Sequence, residues 1–313
     1  MSAESHAAAR WLPLKKKLSA QKYLLILTVP AVIWLAVFCY APMYGVLIAF
    51  KDYNVGLGVW KSPNAGLKYF VELANDPYFR NAVRNTLMYS VLGIVIGFPV
   101  PIIFAVLLNE LRKWIGYKKV IQTVSYLPHF LSWAFVSSYL ITFLSDSGVM
   151  NSLLVKLGIL NTSYSFLGNE LSFVGVILVS SIWKSFGYSS IIYLAVIVSI
   201  PMELFEAAYV DGASRFKRVW HITLPSIKPT ITVLLILSIS TLINSNFEQF
   251  YLLQNPLVSD ISRVIDVYTY QIGFRMARFS YATAVGLFKS VVSIVLLTGA
   301  NFMANRLTGS GIY

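Results

Sequence analysis

The sequence predicts an all-α polytopic membrane protein with six transmembrane helices and both termini in the cytoplasm. Three observations carry that prediction. Of the 313 residues, 57% are hydrophobic and only 12% are charged, with a mean hydropathy of +0.68. An ordinary soluble domain is about 45–50% apolar and about 25% charged. Six stretches are long and apolar enough to cross a bilayer, and the cations between them gather on one side. This composition excludes a disordered chain, a coiled coil and a water-soluble α/β enzyme of ordinary type. A single cysteine excludes an internal disulfide and a cysteine cluster for metal.

A helix crosses the hydrocarbon core with about 20 apolar residues. The first crossing is read over 23–50, where Tyr23 to Phe50 carries no charge. The second is read over 86–108 and the third over 127–145. The fourth, 171–199, is interrupted only by Lys184. The fifth, 229–250, is charge-free up to Glu248, and the sixth, 282–304, is interrupted only by Lys289. Each is too long for a buried strand, and none alternates like a barrel strand. The first stretch is not read as a secretory signal, because it exceeds a signal's apolar region and no small-x-small site closes it. Phe38 beside Cys39 argues against lipoprotein processing, so Cys39 is read as a packed lipid-phase residue.

Orientation follows from lysine and arginine in the flanks. The first tail carries Arg10, Lys15, Lys16, Lys17 and Lys22. The segment after the second crossing carries Arg112, Lys113, Lys118 and Lys119, and the one after the fourth carries Arg215, Lys217, Arg218 and Lys228. With Arg306 this side holds 14 cations against 9 on the other, which also carries seven acids. The richer side faces the cytoplasm. The net charge of +12 therefore tracks topology and anionic membrane lipids, not nucleic acid. Three outer loops, 51–84, 146–170 and 251–281, contain apolar residues at helical spacing: Leu67, Phe70, Val71 and Leu73; Val149, Leu153, Leu154 and Leu157; and Val264, Val267, Tyr268 and Tyr270. Such segments cap the bundle or dock an external partner. Disorder is expected over residues 1–12.

The cytoplasmic stretch Pro201 to Pro229 is the most informative. Helix formers run from Met202 to Val210, and Asp211-Gly212 supplies a turn. A second helical arm is read from Ala213 to about Thr223, ended by Pro225, with Pro229 opening the fifth crossing. Small Ala207, Ala208 and Ala213 admit another surface closely. Phe205, Tyr209, Phe216, Val219 and Trp220 offer apolar anchors.

Glu206-Ala207-Ala208-x-x-Asp211-Gly212-Ala213, followed by Ile222-x-Leu224-Pro225-x-x-x-Pro229, resembles the EAA loop of binding-protein-dependent ABC importer permeases. One departure is Val219 where that family usually has Phe; Trp220 beside it can take over as the apolar anchor. Gly66-Leu67-Lys68-Tyr69-Phe70 with Asp76-Pro77-Tyr78-Phe79 is similar to the first outer loop of carbohydrate-uptake permeases. Asn246-Phe247-Glu248-Gln249, Asn255-Pro256-Leu257 and Ser280 to Ser290 look like their oligosaccharide and polysaccharide subgroup, related to lipoprotein-linked permeases. The resemblance implies an ABC type I importer permease-like fold in a bacterial cell membrane. It implies a tail over 1–22, a permease domain over 23–305 with its EAA loop at 201–229, and a tail over 306–313. The implied partners are a sister permease in a heterodimer, two cytoplasmic ATPase subunits, an extracellular solute-binding protein and an oligosaccharide. ATP and Mg would then be bound by the ATPase, with no cofactor on this chain and no catalysis by it. Glu206, Ala207, Ala208, Asp211, Gly212, Ala213, Trp220, Ile222, Leu224 and Pro225 would make the coupling surface.

Polar groups inside the spans mark a second candidate region. A charge at the centre of a membrane helix costs about 2.5–3.5 kcal/mol on insertion scales. Lys184 lies in Trp183-Lys184-Ser185-Phe186-Gly187-Tyr188, and Asn244, Asn246, Glu248, Gln249 and Tyr251 crowd the outer end of the fifth crossing. Aromatic rings suit stacking on sugars and amides suit their hydroxyls, so Trp183, Lys184, Tyr188 and the fifth-crossing group are read as a sugar passage. The alternative is pairing within the membrane, such as Lys289 with Glu248. Gly286-Leu287-Phe288-Lys289-Ser290 is not a nucleotide loop, which needs Gly immediately before Lys. His6, His129 and His221 have no zinc spacing. A secondary transporter or channel working without an ATPase is the competing reading, but it would want internal repeats or several buried carboxylates. A membrane enzyme would want paired carboxylates or a histidine-rich site at a helix end, and neither is found.

Overall fold

The computed structural model describes residues 21–111 and 114–308, with side chains to Arg306. Most of the 1–22 tail, the disorder expected over 1–12, Arg112, Lys113 and residues 309–313 lie outside the described residues. Among those described, five helices are long and apolar enough to cross a membrane, and a sharply bent pair supplies a sixth crossing.

The first crossing, α1 (Lys22–Phe50), runs unbroken past Pro30 and Pro42. It loosens to a π turn at Ala36–Tyr40 and tightens to 3-10 geometry over Ala41–Phe50. Only its outer end is buried, at Ala49, where it packs on the last crossing. After a short outer helix α2 (Lys68–Asn75), the second crossing α3 (Pro77–Glu110) begins earlier than residue 86. Asp76 caps it, accepting from Tyr78 N at 2.8 Å, and Pro77 fills the first position, where no donor is lost. Its first turns therefore hold Arg80 and Arg84, outside the apolar run.

The third crossing is not one straight helix over 127–145. Helix α4 (Ile115–Phe130) meets the limb Trp133–Lys156 at 97°. Leu131 is extended, and Ser132 restarts the helix by accepting from Phe135 N at 3.2 Å. The second limb comprises α5 (Trp133–Leu144) and α6 (Val149–Lys156). Lys118 and Lys119, read as loop residues, sit on the first turns of α4. The fourth crossing, α7 (Glu170–Val198), matches its expected span, and Asn169 caps it through Leu171 N and Ser172 N.

The coupling segment begins with α8 (Met202–Val210). The fifth crossing departs most from expectation. Helix α9 (Arg215–Ser240) is continuous, so Pro225 does not end an arm and Pro229 does not open a crossing. A π turn at Val219–Thr223 carries the Leu224 N–H back to the Val219 carbonyl. That wider turn makes room for the Pro225 ring and absorbs its missing donor. At the other end α9 stops at Ser240 instead of 250. The chain unwinds over 241–246 and restarts as α10 (Phe247–Leu253). The third outer segment holds α11 (Ile265–Tyr270), and α12 (Phe279–Thr308) is the last crossing.

Two buried clusters knit the outer half. One joins Leu73, Phe79, Ile265, Tyr268 and Tyr281; the other joins Tyr89, Phe173, Phe250, Val264 and Val267. The outer segment 251–281 is thus a core element, since Val264, Ile265 and Val267 have no exposed surface. A third cluster at the inner half joins Ala105, Leu108, Tyr193, Ile197 and Ile227, where α7 packs on α3 and α9. Gly187 brings α7 against α4 so closely that a β-carbon there would overlap the Ser125 carbonyl.

Candidate functional site

Helices α3, α7 and α9, with the break at 241–246, enclose a cleft of about 870 Å³. Tyr188, Asn244, Asn246 and Gln249 line it, together with Ser181, Ser185 and Ser189. Those serines recur every four residues, hence on one face of α7. The sequence reading passed over them, although their spacing was the available signal. Asn244 and Asn246 are exposed to the cleft because the chain there is unwound. Gln249 is buried, donating from Nε2 to the Ile177 carbonyl at 2.9 Å and to Ser180 Oγ at 3.0 Å. The Tyr188 ring stacks on His129 with centroids 4.0 Å apart and planes at 2°. Tyr89, also missed, lines the cleft, and its buried hydroxyl has no partner among the described residues. No charged side chain is among the lining residues. The wall offers hydroxyls, amides and aromatic faces: groups that can hydrogen-bond and stack.

The other candidates of that region do not line this cleft. Trp183 lies on the opposite face of α7, in an apolar groove of about 500 Å³ against α5. Lys184 reaches away to the His129 carbonyl at 2.7 Å and lies 5.6 Å from the Trp133 ring centroid. Glu248 is exposed in the first turn of α10. Tyr251 joins an outer aromatic group, its ring 5.1 Å from Phe247 and 5.2 Å from Tyr270, and accepts from Arg275 at 3.0 Å. The pairing of Lys289 with Glu248 does not form. Lys289 pairs with Asp266, an acid in an outer loop that hydropathy alone did not bring near a span.

In the outer cap of the bundle, Asp76 ties the start of α3 to α11 and α12. Its carboxylate accepts from the hydroxyls of Tyr268 and, at 2.8 Å, of Tyr281. Burial pushes this carboxyl up, but the two tyrosine hydroxyls and the amides of Tyr78 and Phe79 outweigh it and hold it below the usual carboxylate range.

At the cytoplasmic end the coupling segment is a finger. Its turn is closed by Gly212 N to the Tyr209 carbonyl at 3.1 Å and Ala213 N to the Ala208 carbonyl at 2.8 Å, with Gly212 at φ +71°. Ser214 then caps α9 through Lys217 N at 3.4 Å. Glu206, Ala207, Asp211, Gly212 and Pro225 are exposed, and Ala208, Ala213, Ile222 and Leu224 are half-buried. Trp220, 59% exposed, stacks with Phe216 at 6.3 Å and 15°. Tyr209, Val210 and Phe216 are also exposed, whereas Phe205 is buried and anchors the first arm. A row of large apolar side chains bared on a finger is a surface suited to a protein partner. The second arm and the fifth crossing are one helix, which runs from the finger to the cleft wall.

Residues 73–309 match the family described as the binding-protein-dependent transport system inner membrane component. The chain belongs to this family. Bacillus subtilis (strain 168) has two relatives that align over 95% of this chain and 92% of their own length. Protein LplB is 45% identical, and the polygalacturonan/rhamnogalacturonan transport system permease protein YteP is 43% identical. A solved structure also matches, that of a bacterial ABC transporter involved in the import of the acidic polysaccharide alginate. The likeness has a TM-score of 0.85 at 39% identity, over 95% of this chain and 99% of that one. The same transporter has been solved in complex with an alginate pentasaccharide-bound periplasmic protein. As an inner membrane component of this family, the chain is a multi-pass transport subunit with the fold of an ABC importer permease. A self-contained secondary transporter is not favoured by that membership.

Proposed function

We propose that this inner membrane component carries an oligosaccharide through the cleft between α3, α7 and α9, in an importer powered by separate ATPase subunits. A second permease completes the passage, and an extracellular solute-binding protein delivers the sugar. ATP and Mg bind to the ATPase and not to this chain. The observation that supports the reading is mechanical: the second arm of the exposed finger and the cleft-lining fifth crossing form one helix, α9. A partner that rotates the finger tilts the cleft wall, and alternating access follows as a shift between two packed arrangements. Glu206, Ala207, Ala208, Asp211, Gly212 and Ala213 face the ATPase at the tip. Trp220 with Phe216 supplies the apolar anchor, and Ile222, Leu224 and Pro225 set the base.

Within the passage, Tyr188, Asn244, Asn246 and Gln249 are the residues assigned to sugar contact, with the α7 serines. The names of the polygalacturonan/rhamnogalacturonan permease and the alginate importer favour oligosaccharides of uronic acids. The cleft lining itself is neutral and meets the hydroxyls and ring faces that all sugars share. The test is uptake of oligogalacturonides into proteoliposomes holding the assembled importer, its binding protein and ATP. Asn244→Ala and Asn246→Ala are expected to cut uptake about tenfold or more, as the loss of sugar hydrogen bonds in a desolvated site does. Unchanged uptake in both would remove the cleft from the transport path.

A further inference from the structure

One carboxylate ties the unwound segment 241–246 to the last crossing. Asp266, in the first turn of α11, accepts through Oδ2 from Ser245 N at 2.8 Å and from Ser245 Oγ at 2.7 Å. Its Oδ1 pairs with Nζ of Lys289, well inside α12. The two side chains are only 15% and 23% exposed. Irregular backbone at membrane depth persists only where protein or cavity water satisfies its freed polar groups. A lysine in a span needs a partner for the same reason. Asp266 answers both demands. A pair serving only to neutralise Lys289 would leave Oδ2 free, whereas here Oδ2 is spent on Ser245.

The residues on either side of Ser245 are Asn244 and Asn246, both lining the cleft, and Gln249 fixes the next turn to α7. We propose that Asp266 and Lys289 are positioning residues, which hold the break between α9 and α10 so that Asn244 and Asn246 face the passage. The inference rests on the reading of the cleft as a sugar passage. Neither residue lines the cleft; they act through Ser245.

The test reads the aim of Asn244 directly. Cys39 is the only cysteine, so Cys39→Ser with Asn244→Cys leaves one thiol in the full chain. Its rate of modification by a water-soluble methanethiosulfonate is measured in membrane vesicles holding the assembled importer. Asp266→Ala with Lys289→Met removes both charges together, leaving no lone charge in the bilayer. It is expected to change the rate about tenfold, the scale of losing a charged hydrogen-bond acceptor. A thiol placed by Ser181→Cys on the facing wall is expected to keep its rate. Ser245→Ala keeps the ion pair and loses one bond, so a change of about threefold is expected, in the same direction. This variant decides the matter if the charge-free pair fails to reach the membrane. Equal rates in all Asn244→Cys proteins would overturn the positioning role while leaving the passage intact. An Asn244→Cys thiol that never reacts would overturn both.

Discussion

Lys184 on α7 donates to the backbone carbonyl of His129 at 2.7 Å, close to the sharp bend in the third crossing. The bond gives a membrane lysine its partner and satisfies a carbonyl of the last turn of α4, which the bend deprives of a continuing helix. His129 in turn stacks on Tyr188, so the cleft face of α7 and the bend are held together. A hydrogen bond from a charged donor is worth about 1.5–3 kcal/mol. Lys184→Met is therefore expected to destabilise the protein by about 2 kcal/mol, read as a lower Tm in detergent. The apparent KM for sugar uptake should stay unchanged. A raised KM at constant Tm would place Lys184 in contact with the sugar instead.

The turn of the finger requires a left-handed residue. Gly212 sits at φ +71°, where an ordinary L-residue costs about 1–2 kcal/mol and a β-branched one more. Gly212→Val should leave the chain in the membrane but strip it of the ATPase proposed to dock on the finger, read by co-purification. Gly212→Asn, which tolerates that conformation, should retain the ATPase. Equal retention by both would show that the turn's shape is not what the partner reads.

Gln249 and Asn246 are separated by one helical turn yet should fail differently. Gln249 has two buried acceptors, the Ile177 carbonyl and Ser180 Oγ. Gln249→Ala should cost about 1–3 kcal/mol of stability because two buried hydrogen bonds are lost. Asn246 is exposed to the cleft, so Asn246→Ala should lower uptake with little change in Tm. Thermal melts and uptake rates on the two variants separate these effects.

Asp76 links the outer cap to pH. Its folded carboxyl lies below its usual value, so the clamp contributes stability above the unfolded pKa of about 3.9 and loses it as pH falls through the lower folded value. The Tm of the purified protein should therefore drop as pH is lowered from 5 through about 3. Asp76→Asn should start lower and show a shallower drop. An identical slope would assign the acid sensitivity to other carboxylates.

Close packing at Gly187 leaves no room for a side chain against the Ser125 backbone. Gly187→Val should separate α7 from α4 and cost several kcal/mol, about 3 or more, by overpacking a helix contact. The expected readout is loss of a monodisperse peak on size-exclusion chromatography. A normal peak would mean that α4 yields.

The number of crossings, the finger and its turn were legible in the residues themselves. The Asp211-Gly212 signal became a turn with Gly212 at positive φ, because it depends on local backbone sterics. The fourth crossing was read to within a residue, because an apolar run that long, interrupted only by Lys184, has one reading. The fifth was misread at both ends. Pro225 was read as a stop and Pro229 as a start, but a π turn accommodates the first and the helix runs on through the second. The stretch from Pro229 is charge-free up to Glu248 and was read as one helix, but Asp266 holds Ser245 out of it. Half of the proposed passage was visible as amides near one another in the chain. The serine face of α7 was visible only as a spacing.

From its sequence alone this chain is a six-crossing membrane protein with a cytoplasmic finger, because apolar run length, flanking charge and turn chemistry are local quantities. Which polar side chains meet was settled only by the tertiary fold. Lys289 finds Asp266 rather than Glu248, and Lys184 finds a backbone carbonyl rather than the cleft. The physical reason is that a buried charge in a membrane takes whichever partner packing brings within reach, and that distance is set by how helices cross, not by how far apart residues stand in the chain.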